Sequence, residues 1–473
     1  MLQVNAGETL AISADGSFHF PTKLNANAGY GVTVSAQPGT PTQVCSIANM
    51  AGAVGSADVT SIAVTCNSGR AKYLYTTSAP DFTTLGALSG FSIDAKTGAL
   101  TPVADTSCPT GPLPVDLRPT PDGRFIYVRN VDGSTAQSGT IAAYSVNAAT
   151  STLTPVAGSP FALPTSMVST VAIQVDPSGR FLYAMQLHMG SSSGRIVTFR
   201  INQSTGALTA GSATGFAMEY VQQMSFDPWG RFAYLGGITH STALAYQATT
   251  VGIDTITGEL TRLGSDLALT APPNLPGYGP ATCFINGAGT QLMCSFADEL
   301  YMLRVNSATG ALTELAHINN TSGGASQGTF VPADHLFVIL DSGVTHFYSA
   351  DDAASTLTEI SSLTLGNGTP AGLAVDGSNH HLYLSEGGAN SFQVRAFGFD
   401  STSKVTSEIF GSPYALPGQG ASAQIDSSGG LLFVMYVNGM SSFTIASATG
   451  ALTPTGTVAV PNGASRFVLV GTQ

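Results

Sequence analysis

Several ionisable side chains lie in or beside the long polar segments that separate apolar runs, where a catalytic or binding group would be accessible. Ester opening needs a general base and a cation that stabilises an oxyanion. The predicted catalytic residues are Arg129, His188 and Glu386, the predicted ligand-binding residues are His240, Asp341 and Arg118, and Asp132 and Asp298 are further polar candidates. Solvated loop polarity, or hydrogen bonds that close a ring of repeats, would use the same residue types, so both alternatives stay open.

The five cysteines follow no metal-binding pattern. Cys45 and Cys66 close a short loop and are the predicted disulfide. Cys283 and Cys294 flank the turn segment INGAGTQ, where they either bridge or pack as small buried hydrophobic residues. Cys108 is left over. No two cysteines have the CxxC spacing typical of zinc and redox centres.

The composition excludes several classes of partner. Charged residues are only 9% of the chain, the formal net charge is −12, and no basic run occurs. Nucleic acids and anionic membranes need clustered cations, so neither is expected. No apolar run reaches the length of about 18 residues that a transmembrane helix needs. We predict no cofactor and no metal; a zinc site made by His188, His240 and another histidine is the alternative.

One phrase recurs along the chain at intervals of about 50 residues, which indicates a repeat architecture. Its copies are TGALTPV from Thr97, TSTLTPV from Thr150, TGALTAG from Thr205, TGELTRL from Thr257, TGALTEL from Thr309, STLTEIS from Ser355, SKVTSEI from Ser403 and TGALTPT from Thr449. Self-similarity of this kind predicts stacked or radial units rather than separate domains.

Each repeat contains four short apolar runs, and four antiparallel strands per repeat are typical of a β-propeller blade. The second repeat shows them as VDLRPTP, FIYVRN, IAAYSVN and LTPVAG, separated by turns rich in Gly and Asn. Counting second runs gives eight blades, with seven possible if one repeat is irregular. We predict that ASRFVLV (464–470) supplies the innermost strand of the first blade. Asp176, Asp227 and Asp426 recur at one turn and are predicted turn acceptors.

Residues 1–67 differ from the repeats. Segments such as GETLAISADGSFHF alternate apolar and polar residues around a turn, which predicts a small β-sandwich-like module pinned by the predicted disulfide. SGRAK (68–72) is the predicted linker, and residues 71–473 are the predicted propeller. Met1 runs directly into a strand-like pattern, so we expect an export signal to lie outside this chain.

The phrases FIYVRN…IAAYSVNAATSTLTPV and VDPSGRFLYAM resemble the bacterial lactonase-type β-propellers related to 6-phosphogluconolactonase, over residues 71–473. The resemblance implies an all-β propeller, customarily of seven blades, with His, Arg and Glu at the channel mouth in the active enzymes. One phrase of such enzymes, Gly-Pro-Arg-His, aligns with GPAT (279–282), so no catalytic residue is carried over. Residues 1–67 resemble a module of exported bacterial proteins, which implies an extracytoplasmic location.

The other inner-strand starts, GTPAGLAV, GQGASAQI and SQGTFV, are small and neutral. We therefore expect a neutral channel and a binding or interaction protein that uses the face with the long loops. Its partner would be a small molecule, a carbohydrate or a protein. The alternative is a lactonase-like hydrolase whose catalytic site has moved to Arg129, His188 and Glu386.

Overall fold

The structure is a computed structural model. It describes residues 1–5, 7–35, 44–67, 71–79, 85–103, 108–131, 139–163, 168–188, 193–218, 221, 223–239, 245–270, 281–296, 299–319, 327–331, 336–340, 344–351, 353–364, 368–376, 380–388, 392–399, 406–461 and 463–472. The described residues form strands and turns and contain no helix, so none of them forms a helix long and apolar enough to cross a membrane.

Six strands form the amino-terminal module: β1 (Leu2–Val4), β2 (Thr9–Leu10), β3 (Gly29–Val34), β4 (Val44–Ala48), β5 (Ala51–Ala53) and β6 (Ala63–Asn67). Their sheets have the orders β2-β1-β3-β5 and β4-β6. Leu2, Val4, Tyr30 and Val32 form the small core between them. The predicted disulfide joins Cys45 to Cys66, which are directly opposite in the β4–β6 register.

Eight further sheets follow one another along the chain, and we call them blades 1 to 8. Blade 1 contains β7 (Ala71–Ser78), β8 (Leu85–Ile93), β9 (Leu100–Pro102) and β10 (Cys108–Pro112), and blade 2 contains β11 (Pro114–Pro119), β12 (Phe125–Val131), β13 (Gly139–Val146), β14 (Leu153–Pro155) and β15 (Phe161–Ala162). Blade 3 contains β16 (Val168–Val175), β17 (Phe181–His188), β18 (Gly194–Ile201) and β19 (Leu208–Phe216). Blade 4 contains β20 (Ser225–Phe226), β21 (Phe232–Thr239), β22 (Ala245–Ile253), β23 (Leu260–Arg262) and β24 (Leu267–Ala268).

Blade 5 contains β25 (Thr282–Ile285), β26 (Gln291–Phe296), β27 (Glu299–Val305) and β28 (Leu312–Asn319), and blade 6 contains β29 (Gln327–Val331), β30 (Leu336–Leu340), β31 (Val344–Asp351) and β32 (Thr356–Thr364). Blade 7 contains β33 (Gly368–Asp376), β34 (His381–Gly388), β35 (Phe392–Phe399), β36 (Thr406–Glu408) and β37 (Tyr414–Ala415). Blade 8 contains β38 (Gly420–Ile425), β39 (Leu431–Tyr436), β40 (Gly439–Ile445) and β41 (Leu452–Ala459). The last strand, β42 (Ala464–Thr472), belongs to blade 1.

The described residues therefore form an all-β propeller, as predicted, with eight blades; in each blade four strands lie side by side, and a short fifth strand is added in blades 1, 2, 4 and 7. The ring closes where β42 pairs antiparallel with β7, which confirms the prediction for ASRFVLV. The second strands β26, β30 and β39 are buried along their whole length, because a blade packs against a neighbour on both faces. This double burial explains why the second runs read as continuous apolar segments rather than as alternating ones.

The repeat phrase forms the turn between the third and fourth strands. The side chains of Asn202 and Asp254 accept hydrogen bonds from backbone N–H groups two and three residues later. Gly206 and Gly258 follow with φ of 75° and 78°, which a residue with a side chain adopts only with strain. The predicted turn acceptors Asp176, Asp227 and Asp426 cap the turn between the first and second strands, where each carboxylate accepts a hydrogen bond from the backbone N–H four residues later.

Buried tyrosines link each of several blades to the next. The hydroxyl groups of Tyr127 and Tyr183 donate to the carbonyls of Gly206 and Gly258, at 2.9 and 3.0 Å. Tyr75 and Tyr383 make the equivalent bonds to Ser151 and Gly450. Burial raises the pKa of these phenols, so they remain neutral donors.

Two groups of connections define the faces of the ring. We call the side with the two kinds of turn described above the turn face, and the opposite side the long-loop face. Every inner strand begins at the long-loop face. Within blade 5, Cys283 and Cys294 are opposite each other and form a second disulfide, whereas Cys108 is a buried free thiol.

Candidate functional site

The inner strands of blades 1, 2, 3, 7 and 8 each contain an irregularity in register close to the long-loop face. Such bulges redirect side chains and are common beside functional sites. The residues that directly follow them are Arg466, Asp116, Ala172, Gly372 and Ser422. Two of these five residues are charged, and they lie on the adjacent blades 1 and 2. The expectation of neutral inner-strand starts is therefore wrong for these two blades.

The carboxylate of Asp116 holds blade 2 against the inner strand of blade 3. One oxygen accepts a hydrogen bond from the backbone N–H of Ile173 at 3.1 Å, and the other accepts one from Leu117 N at 3.0 Å. Arg118 Nε lies 3.1 Å from the latter oxygen. Both oxygens of this carboxylate are thus already engaged by donors within the propeller.

The predicted ligand-binding residue Arg118 also contacts blade 3, because its Nε donates to the carbonyl of Ile173 at 3.1 Å. Its side chain keeps 39% of its surface exposed. The equivalent inner-strand residues Gln174 and Gln424 also hydrogen bond to the backbone of the next inner strand, at 2.7 and 2.8 Å. These contacts of Arg118 therefore fit the ring-closing alternative, and its exposed surface leaves room for a ligand.

Arg129, a predicted catalytic residue, lies opposite Asp116 in the register of blade 2 and is buried. Its Nη2 donates to the carbonyl of Val171, at the bulge of blade 3, over 3.1 Å. Burial lowers the pKa of Arg129 from its ordinary value to about 10. The charge of Asp116 opposes this shift, whereas Arg466 and Arg118 add to it, which places all four groups in one electrostatic cluster.

Arg466 is the exposed member of this cluster. It lies on β42 opposite Thr77, close to the long-loop face, and its backbone carbonyl accepts a hydrogen bond from Thr76 at 2.8 Å. We call Asp116, Arg118, Arg129 and Arg466 the arginine cluster. It combines three of the 16 lysine and arginine residues of the chain with one carboxylate. Arg466 and Asp116 were not among the predicted site residues, although both are charged residues within apolar runs that form inner strands.

Comparison with known proteins identifies the scaffold. Residues 162–275, which span most of blades 3 and 4, match the family model described as lactonase, 7-bladed beta-propeller. The resemblance to the lactonase-type propellers is confirmed. No curated protein matches the chain.

Solved structures share the fold of this propeller at low sequence identity. The periplasmic gluconolactonase PpgL of Pseudomonas aeruginosa has a TM-score of 0.53 at 13% identity, with 85% of this chain and 99% of that chain covered. A putative 6-phosphogluconolactonase from Bacteroides fragilis has a TM-score of 0.51 at 16% identity, covering 84% and 98%. Sqt1 of Saccharomyces cerevisiae has 0.52 at 11%, covering 74% and 86%. At these identities the likeness shows the fold alone.

The three predicted catalytic residues lie on the second strands of different blades. His188 ends β17 in blade 3, next to the blade that holds Arg129, and its side chain lies outside the described residues. Glu386 is buried in blade 7, where Gln393 Nε2 donates to its carboxylate. Blades 8 and 1 separate it from Arg129. The catalytic trio stays a prediction, as do His240, Asp341, Asp132 and Asp298, which lie outside the described residues.

His381 is buried, although histidine is fully buried less often than the aliphatic residues: only 7% of this residue is exposed. The equivalent residues in blades 2 and 3 are Phe125 and Phe181, which pack under the turn glycines Gly206 and Gly258. His381 packs under Gly450 of blade 8 in the same way: a Cβ atom on that glycine would lie 2.6 Å from the imidazole. The repeat phrases FIY and FLY begin with a buried Phe where HLY begins with His381, so the sequence indicates that this histidine occupies a buried position.

We expect the substitution His381→Phe to flatten the acid limb of the stability profile. Burial lowers the pKa of His381 below its ordinary 6.5, while Asp376 opposes the shift. The unfolded chain therefore binds this proton first, and the stability associated with the neutral ring, present above pH 6.5, is lost as pH falls below it. Thermal unfolding from pH 8 to pH 5 checks this. An unchanged profile would refute the burial argument.

Proposed function

We propose that this lactonase-type propeller binds an anionic small molecule, with a carboxylate as the recognised group, at the long-loop mouth of its channel. The observation that carries the proposal is the arginine cluster, in which three guanidinium groups lie in one electrostatic cluster with a single carboxylate. The surplus of positive charge lies in a chain whose formal net charge is −12. A cationic site in such a surrounding attracts an anion to one place rather than to the whole surface.

Arg466 and Arg118 are the groups that would contact the ligand, because Arg466 is exposed and the side chain of Arg118 keeps 39% of its surface exposed. The planar fork of arginine fits a carboxylate through two parallel hydrogen bonds. A hydrogen bond to a charged group contributes about 1.5–3 kcal/mol. Arg129 is buried and directed to the backbone of Val171, so its contribution is the electrostatic potential that it adds to the site.

Binding fits the described side chains better than hydrolysis does. A hydrolase would need a general base within hydrogen-bond reach of the same ligand. The carboxylate of the arginine cluster, Asp116, has both oxygens occupied by backbone N–H groups and by Arg118. Glu386 lies in blade 7 and accepts from Gln393. The contacts of these two carboxylates support the predicted binding role.

Two disulfides support the proposal that the protein acts outside the cytoplasm, where such bonds form and persist. Recovery of the protein from its source cells with all five cysteines reduced would contradict this location.

Titration with gluconate, with glucose as the matched neutral compound, tests the proposed site. Calorimetry is expected to detect gluconate binding and no glucose binding. Arg466→Gln is expected to weaken gluconate binding by about tenfold or more, since one lost charge-assisted hydrogen bond is worth about 1.5–3 kcal/mol. Arg200→Gln is the control, because Arg200 is exposed on the third strand of blade 3 and donates to the carbonyl of Ile256.

Three results would overturn the proposal. The first is equal binding of gluconate and glucose, which would favour a neutral carbohydrate. The second is equal weakening by the two arginine variants, which would indicate a general charge effect. The third is catalysed opening of gluconolactone that disappears in Arg466→Gln, which would favour the alternative of a hydrolase with a relocated site.

A further inference from the structure

Trp229 breaks the pattern of the turns that join the first and second strands. At the equivalent positions in blades 3 and 8, Ser178 and Ser428 donate through Oγ to the aspartate that caps the turn. Trp229 is the only tryptophan of the chain, and it has no hydroxyl group with which to make this bond to Asp227. The turn of blade 4 therefore lacks one hydrogen bond that the turns of blades 3 and 8 make. The presence of a tryptophan at this position needs a physical reason outside the turn.

The indole lies on the turn face, yet only 3% of Trp229 is exposed. Three neighbours cover it. A Cβ atom at Gly31 in the amino-terminal module would lie 3.0 Å from the Cβ of Trp229, and one at Gly289 in blade 5 would lie 2.5 Å from its ring. The guanidinium of Arg231 lies 4.9 Å from the ring centroid. One side of the tryptophan is thus fitted to a glycine of the module.

We propose that the turn face of blades 3 and 4 is a docking surface for the amino-terminal module of the same chain, and that Trp229 is its specificity residue. A second contact joins the same two parts. Arg180, in the equivalent turn of blade 3, donates through Nη2 to the carbonyl of Ala51 in β5 at 3.2 Å. Both turns therefore use a large side chain to contact the same sheet of the module, Trp229 at β3 and Arg180 at the edge strand β5.

The linker between the amino-terminal module and the propeller allows even a small contact to hold the two parts together. Residues 68–70 are all that separates β6 from β7. A short linker gives an effective concentration in the millimolar range, so a contact too weak to join separate proteins is sufficient within one chain. It follows that one well-chosen substitution is enough to release the module, and that release does not require unfolding of either part.

Docking on the turn face leaves the long-loop face uncovered by the module. The arginine cluster lies near that opposite face, so the module and a channel ligand do not compete for one surface. This arrangement does not depend on the proposed ligand. It gives the module the role of a fixed base that determines which face of the ring is presented to a partner.

The fluorescence of the single tryptophan tests the docking directly. Gly31→Val places a side chain against Trp229 and is expected to shift the emission to longer wavelength and to raise acrylamide quenching several-fold. Gly29→Val is the matched control in the same strand, because a Cβ atom there approaches the protein no closer than 3.9 Å, at Gly52 O. Valine is favoured in strands, so both variants keep the fold of β3.

A second measurement covers the case in which Gly31→Val disturbs the module itself. Trp229→Ser restores the residue type found in the turns of blades 3 and 8, so the propeller turn regains its capping bond. We expect trypsin to cut after Arg70 in the linker several times faster in this variant than in the wild type. Unchanged emission in Gly31→Val, an equal shift in Gly29→Val, or unchanged cleavage in Trp229→Ser would each overturn the proposal.

Discussion

Replacement of Phe467 by alanine is expected to lower the free energy of unfolding by about 3–5 kcal/mol, the usual cost of removing a buried phenylalanine. Phe467 lies on β42 and is only 3% exposed. It packs in one cluster with Leu431 and Met435 of blade 8 and with Phe91 of blade 1. The cavity left by the substitution would therefore open at the seam where the two ends of the propeller meet.

The seam is sensitive because one strand closes the ring. Without β42, the inner edge of β7 would have no partner, and an open sheet edge is both unstable and prone to pairing with other chains. The closure contains a further contact, since Gln424 of blade 8 donates to the carbonyl of Phe467 at 2.8 Å. A weakened seam is thus expected to promote aggregation as well as unfolding.

The same substitution at an exposed position is the control. Phe410 is 97% exposed, so Phe410→Ala is expected to change the free energy of unfolding by no more than about 0.5 kcal/mol. Urea unfolding followed by circular dichroism measures both variants. Equal losses in the two variants, or no loss in Phe467→Ala, would mean that the carboxy-terminal strand does not hold the ring.

The propeller could be predicted from the sequence because its signals are local. A capping side chain followed by a turn residue at positive φ, as at Asn202 and Gly206, lies within a few residues and recurs in each repeat. Double burial of the second strands gives continuous apolar runs. The final strand was predictable for a related reason. The first repeat lacks an inner strand of its own, whereas ASRFVLV has the pattern of an inner strand and no further repeat follows it.

The arginine cluster could not be predicted in the same way, because ring closure creates it. Asp116 and Arg466 are far apart in sequence and become neighbours only when β42 pairs with β7. The bulges determine which side chains of neighbouring inner strands lie at equivalent positions, and no local sequence pattern reveals where the bulges are. His381 and Trp229 depart from their repeats in a visible way, but burial of His381 by blade 8 and of Trp229 by the module depends on tertiary contacts.

The substitution Asp116→Asn is expected to cost about 3 kcal/mol, because it removes one partner from a group of buried charges. Asp116 is the carboxylate that raises the pKa of Arg129 against burial and against two neighbouring arginines. The folded-state pKa of Arg129, about 10, lies below the value of an arginine in the unfolded chain. The penalty for its charge is therefore complete below pH 10 and is relieved only as pH rises above 10.

Glu408→Gln is the control for the loss of a carboxylate, since Glu408 pairs with Arg395 at 2.7 Å where both side chains are partly exposed. Exposed pairs contribute at most about 1 kcal/mol. Urea unfolding at pH 7 compares the two variants.

The double variant Asp116→Asn with Arg129→Met separates the two causes of the loss. If the buried charge is the cause, removal of Arg129 restores most of the stability, because no uncompensated cation remains. If the loss instead comes from the hydrogen bond between Asp116 and Ile173, the double variant stays as unstable as the single one. Recovery would establish that the carboxylate is retained to hold a cation at the channel mouth, whereas failure would reduce Asp116 to a link between two blades.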